Sequence, residues 1–144
     1  MDFFSAMDIS ASAMSAERTR MNLISSNLAN ANSTRSAEGG PYKRKDAVFT
    51  ATPLAGTFTN AMSQANQRLA RVDVTGVVED SSPPRLQYDP THPDADTKGY
   101  VALPNVNVIE EMADMISATR TYEANVTAAQ AAKSMAMKTL EMGR

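Results

Sequence analysis

"NVIEEMADMISATRTYEANVTAAQAAKSMAMKTLEM", Asn107–Met142, decides the fold. It holds neither proline nor glycine, so nothing inside it breaks a helix. Asn107 and Glu110 form a capping pair just after Pro104. Glu110, Glu111 and Asp114 lie near the positive end of the helix dipole, with Lys133 and Lys138 toward the negative end. Alternating steps of four and three select Val108, Met112, Met115, Thr119 and Tyr122, then Val126, Ala129, Lys133, Ala136 and Leu140. Eight of these ten are apolar or aromatic, Thr119 and Lys133 being the exceptions, and the pattern reads as a heptad seam. Ile109 and Ile116 broaden it. At 1.5 Å per residue the helix is about 54 Å long. That is too long for one element of a compact globule of 144 residues.

The other end of the chain carries a partner. Ser5 and Asp8 match a capping box, with Phe4 and Ile9 at the staple positions. Met7, Met14, Met21 and Leu28 then recur one heptad apart, and Ala11, Ile24 and Ala31 widen the stripe. A helix is expected from Ser5 to Ala31, with Arg18 interrupting its apolar face. Eight of the ten methionines fall in these two helices, where flexible side chains suit irregular contacts. The pair can be an ordinary two-helix core. Alternatively, other subunits complete the seam, because two facing stripes bury only part of their apolar surface and leave a lone chain marginal.

All seven prolines lie between Pro41 and Pro104, and five of the six glycines between Gly39 and Pro104. The chain therefore divides into an N-terminal helical segment (1–32), a loop-rich middle (33–104) and a C-terminal helical segment (105–144). In the middle, Asp46–Ala51 and Arg71–Glu79 have the β-branched content of strands, and Arg85–Tyr88 and Gly99–Leu103 can pair with them. Thr57–Leu69 reads as a short helix or as disorder. The fold class is mainly α: long terminal helices pairing as a coiled-coil-like inner domain around a middle with short β-strands.

Chemistry is sparse. Cysteine is absent and His92 is the sole histidine, which removes thiol catalysis and makes a transition-metal site improbable. "DADTKG", Asp94–Gly99, matches the opening of an EF-hand loop. Lys98 and Asn105 occupy ligand positions that need oxygen donors and a bidentate carboxylate, so an Asp-rich turn is the better reading. No nucleotide-binding glycine motif or nucleophile elbow is present. A net charge of −2 and one short basic run, Lys43–Lys45, give no case for nucleic acid; that run reads as a solvated loop or a contact with an acidic patch on a partner. No cofactor and no catalytic residue is expected. Nothing approaches a membrane span of roughly 18–20 apolar residues, and the N-terminus is a poor cleavable signal. By these rules alone the chain reads as cytoplasmic.

The end of the first helix is unusual. "SSNLANANSTR", Ser25–Arg35, is rich in asparagine, a mediocre helix former. Asn32 in a left-handed conformation can stop the helix. Asn27 and Asn30, three apart, share a face. With Asn32 they are candidates for directional hydrogen bonds to a loop or an adjacent subunit.

This segment resembles the N-terminal signature of bacterial flagellar axial proteins. "GGPYKRK" (Gly39–Lys45), "PPRLQYDPTHPDAD" (Pro83–Asp96) and "GYVALPNVNVIEEMADMISATRTYEANV" (Gly99–Val126) resemble the flagellar basal-body rod proteins of the C type. The resemblance spans nearly the whole chain and is weakest in Thr52–Arg71. It implies a structural subunit of the proximal rod that polymerises through its terminal helices to build the drive shaft and export channel. It implies self-association, and contacts with other rod proteins, the adaptor at the rod base and the membrane-embedded ring. It implies passage through the flagellar export apparatus without signal cleavage to a rod crossing the periplasm, with no lipid anchor. The expected assembly interface comprises Met7, Met14, Met21 and Leu28, the amides Asn27, Asn30 and Asn32, and, from the second helix, Met112, Met115, Tyr122, Asn125 and Val126. A soluble helical adaptor or export chaperone is the competing class. Such a protein is stably folded alone, whereas the terminal segments of a rod subunit order on assembly.

Overall fold

The computed structural model describes residues 3–36, 39–53 and 69–143. The short-helix-or-disorder reading of Thr57–Leu69 lies outside the described residues, apart from Leu69. Among the described residues, two helices and four strands follow in the order α1 (Phe3–Ala29), β1 (Lys45–Pro53), β2 (Ala70–Glu79), β3 (Arg85–Tyr88), β4 (Tyr100–Leu103) and α2 (Val108–Met142). In α2 the Asn107 side chain caps the first turn, accepting from the Ile109 amide at 3.2 Å. In α1 the start departs from expectation. The helix already runs at Phe3, so Ser5 sits inside its first turn rather than at a cap.

The helices lie antiparallel. Asn27 meets Glu111 near one end, Met21 Sδ lies 3.7 Å from Thr119 Oγ1 further along, and Phe3 and Ala6 line one groove with Ala132 and Ala136 near the other. The face that α2 turns inward differs from the expected seam. Burial or half-burial recurs at Glu111, Met115, Ala118, Tyr122, Asn125, Ala129, Ala132 and Ala136. Five positions are shared with the expectation, Met115, Tyr122, Val126, Ala129 and Ala136, each half-buried. Val108, Met112, Thr119, Lys133 and Leu140 are exposed. The reason is steric and electrostatic. Ala118 and Ala132 let α1 approach closely, which spares Thr119 and Lys133 from burial, and Glu111 can enter the seam because polar partners await it. On α1 the buried side chains are Ser10, Ala16, Ile24 and Asn27; Met14, Met21 and Leu28 are half-buried, and Met7 is exposed.

The strands form two separate antiparallel ribbons, not one sheet: β1 pairs with β2, and β3 with β4. In the first, Val48 faces Gly76 and Phe49 faces Val74, so Thr75 bulges out of the ladder. This ribbon packs on α1, where the Val72 amide donates to Ser12 Oγ at 3.2 Å. In the second, Val101 and Leu103 are buried while Leu86, Tyr88 and Tyr100 on the opposite face are exposed. Gly99 closes this hairpin at φ 80°, and an added Cβ there would lie 2.9 Å from the Tyr88 ring. Pro104 and Val106, both buried, carry the chain from β4 into α2. The buried apolar set consists of small residues and short runs, Ala16, Ile24, Ala31, Val101, Val106, Ala118 and Ala132 among them, and much larger apolar side chains stay outside.

Candidate functional site

Among the described residues, the largest fully buried side chains are Glu111 and Asn27, followed by Pro104. A charge and an amide thus occupy the place where a core usually puts leucine or phenylalanine. Asn27, on the last turn of α1, uses its whole hydrogen-bonding capacity inside the chain. Its Nδ2 donates to the Lys45 carbonyl at 2.9 Å and to Glu111 Oε2 at 3.1 Å. Its Oδ1 accepts from the Lys45 amide at 3.0 Å and from the Tyr42 hydroxyl at 3.0 Å. The amide pairs with the Lys45 backbone as a neighbouring strand residue would, and so anchors the start of β1 to the helix. Ser26 Oγ stands 3.3 Å from the same Tyr42 oxygen.

Glu111, in the first turn of α2, accepts from Arg44 Nε at 2.6 Å on its other oxygen. Burial works against the charge on Arg44, but the hydrogen bond and attraction of Glu111, with a smaller pull from Asp46, outweigh it and raise the guanidinium pKa. Arg44 also approaches Asp46 at 3.4 Å and Asp114 at 4.0 Å, and Arg20 of α1 approaches Asp114 at 3.9 Å. One junction therefore ties α1, the strand entry and α2 together. Arg44 belongs to the basic run read as a solvated loop or a partner contact; the structure turns it inward. Neither Arg44 nor Glu111 was singled out by spacing. The signal was a polar residue at every second step of the frame 111–118–125, which a search for the most apolar frame passes over.

The remaining asparagines act locally. Asn30 Nδ2 donates at 2.9 Å to the Ser26 carbonyl, which also accepts from the Asn30 backbone amide at 3.1 Å. Asn32 is exposed, and no non-glycine residue among those described has a positive φ, so it does not supply a left-handed stop. Asn125 Nδ2 donates to the Thr121 carbonyl at 2.9 Å within α2. Asp94, at the start of the "DADTKG" fragment, accepts from Thr34 at 2.9 Å and from Arg35 at 2.6 Å. The Thr34 hydrogen bond, and then the Arg35 charge, hold its carboxyl below the ordinary range. The His92 ring is half-buried and accepts from the Asp94 amide at 3.1 Å.

Outside the junction, α2 presents an exposed apolar ridge. Ile109 is 79% exposed, Met112 54% and Ile116 55%. They recur at steps of three and four on the side turned away from α1. Contiguous exposed apolar residues are a common mark of interaction surfaces.

Two segments of the chain match known family patterns. Residues 7–35 match one described as "Flagella basal body rod protein", and residues 97–142 match one described as "Flagellar basal body rod FlgEFG protein C-terminal". Over the full length of both chains, the sequence is 43% identical to the flagellar basal-body rod protein FlgC of Bacillus subtilis (strain 168). It is 40% identical to that of Escherichia coli O157:H7, again over the whole of both chains. For Aquifex aeolicus (strain VF5) the figure is 43%, covering 98% of this chain and 97% of the relative. The chain belongs to the FlgC family of flagellar basal-body rod proteins. The two matched segments take in most of α1 with Asn27 and all of α2 with Glu111, the two helical sides of the junction. Arg44 and Tyr42 lie between them, in the part covered only by the full-length relatives.

Proposed function

We propose that this chain is a structural, non-enzymatic subunit of the proximal rod of the bacterial flagellar basal body, serving motility by polymerising through its terminal helices. The observation that carries this reading is the exposed ridge Ile109–Met112–Ile116 on a helix whose opposite face is already taken by α1. An aqueous monomer gains nothing from such a surface; a subunit packed among neighbours buries it at roughly 25 cal/mol per Å². Segments 1–32 and 105–144 act as a coiled-coil-like inner unit around the export channel, and 33–104 as the outer middle segment. Contacts that do not close on themselves then generate a helical polymer.

Of the expected interface set, Met7, Asn32 and Met112 are exposed in the single chain and face neighbours in the rod. Met14, Met21, Leu28, Met115, Tyr122, Asn125 and Val126, half-buried, support them from the helix pair. Asn27 and Asn30 act on assembly by holding the end of α1 in shape. The partners are other copies, other rod proteins, the adaptor at the rod base and the membrane-embedded ring. The chain reaches the periplasmic rod through the flagellar export apparatus without signal cleavage. No described helix is long and apolar enough to cross a membrane.

The test is complementation of cells lacking the native protein. Met112→Asp combined with Ile116→Asp is expected to abolish rod assembly and swimming while leaving the circular dichroism of the purified chain unchanged. Normal swimming by this variant overturns the reading.

A further inference from the structure

The two polar side chains buried at the junction depend on one short segment. Among the described residues, five hydrogen bonds reach the Asn27 and Glu111 side chains. One joins the two to each other, and the other four come from Tyr42, Arg44 and Lys45. These three residues lie in Gly39–Lys45, a strap that bonds the end of α1 and the start of α2 at once. The strap is folded back before it arrives. Gly39 and Gly40 take φ of 84° and 83°, the Ser36 amide donates to the Gly40 carbonyl at 2.7 Å, and the Tyr42 amide donates to the Ser33 carbonyl at 3.4 Å. On its other side the strap runs into β1, and the Asp80 amide after β2 donates to the Arg44 carbonyl at 2.8 Å.

Without the strap, the seam between the helices fares differently along its length. At the junction end it keeps Asn27 and Glu111, each 1% exposed, with only each other as partner. Among the described residues Arg44 is the one cation within ion-pair distance of Glu111; Arg20 reaches Asp114 instead. A buried carboxylate that loses its cation is far costlier than the pair, and the stranded amide adds to that cost. Ala118, one heptad on, is fully buried, and a contact through alanine supplies little dispersion to oppose the strain. The far end has no such dependence. Ala132 lies about 32 Å from Glu111 along the helix at 1.5 Å per residue. The groove that it lines with Phe3, Ala6 and Ala136 carries no charged residue.

We infer that Gly39–Lys45 is a latch on the helix pair. While it is seated, the junction ends of α1 and α2 stay together. When it lifts, those ends part and admit water to Asn27 and Glu111, and the far end stays closed. Pairing at one end of the helices is thereby set by a segment that belongs to neither. The open form is a local one, lying between the native state and full unfolding. The inference rests on the fold and not on the polymerisation reading above.

The chain has no native cysteine, so one introduced thiol reports opening through its rate of reaction with a soluble aromatic disulfide. Ala118→Cys and Ala132→Cys place it at the junction end and the far end of the same seam, at positions 0% and 7% exposed. In the full-length chain with the native strap, both thiols are expected to react far more slowly than in urea. Adding Arg44→Ala is expected to speed the thiol at position 118 at least tenfold more than the thiol at position 132. Tyr42→Phe removes only the hydroxyl that donates to Asn27 and is expected to show the same preference, at least threefold. Should Arg44→Ala prevent folding, Tyr42→Phe carries the test. Equal acceleration at the two positions would overturn the latch, since the strap would then stabilise the chain as a whole. Unchanged rates at both positions, or fast reaction at both with the strap native, would overturn it as well.

Discussion

At the scale of single residues, the account turns on a buried carboxylate and a buried amide. An ion pair out of water contributes little net stability, because desolvation offsets its attraction, yet removing one partner is costly. Arg44→Ala leaves Glu111 buried with one hydrogen bond fewer and is expected to destabilise the chain by about 3 kcal/mol in urea unfolding. Asn27→Ala strands the Lys45 amide and carbonyl, and is expected to cost about 2 kcal/mol. Equal urea midpoints for wild type and Arg44→Ala would show that the junction does not hold the helices. Asp94 gives a pH signature. Its folded pKa lies below the ordinary 3.8, so its contact with Thr34 stabilises the fold above that value and is lost as pH falls through the depressed one. The carboxyl shift of Asp94 followed by NMR is expected to titrate below pH 3.8 in wild type and to move upward in Thr34→Val.

At the scale of elements, the helices were legible in the sequence because caps and the absence of breakers are local signals. Asn107 caps α2 where it was expected. The four strands were legible within one or two residues, since β-branched content and the flanking prolines bound them. Their pairing was not. Register depends on contacts between segments far apart in the chain, and here it resolves into two ribbons. Half of the expected seam of α2 faces inward, and the other half lies one position off, because apolarity alone ranks Met112 above Glu111. What decided the face was the small size of Ala118 and Ala132 and the partners waiting for Glu111, neither of which a hydrophobic count can see. The offset is testable. Ala118 is 0% exposed, so Ala118→Leu is expected to destabilise by about 1–3 kcal/mol through overpacking. Thr119→Leu, one position along and exposed, is expected to change the urea midpoint by less than about 0.5 kcal/mol equivalent.

At the scale of the whole molecule, the buried apolar set is thin and the exposed one large. Ala16, Ile24, Ala118 and Ala132 are the buried apolar residues of α1 and α2, while Phe4, Met7, Ile109, Met112 and Ile116 lie outside. Such a distribution is poor for a lone globule and suited to a subunit whose core is completed by neighbours. The polar junction fits the same logic. Alanine-lined helices can slide or repack at little cost, whereas Asn27 meets Glu111 and Lys45 in one register only. A single buried polar contact fixing register is a known use of such groups. The candidate site was legible in part: Asn27 was singled out for its amide, but its partners came from the loop and from α2 of the same chain.

The most direct measurement is electron cryomicroscopy of isolated basal bodies from the source cells. The account predicts this chain in the proximal rod, with α1 and α2 as an antiparallel pair beside the central channel and Ile109, Met112 and Ile116 covered by a neighbouring subunit. A complete rod lacking this chain, or one in which that ridge faces water, would contradict it.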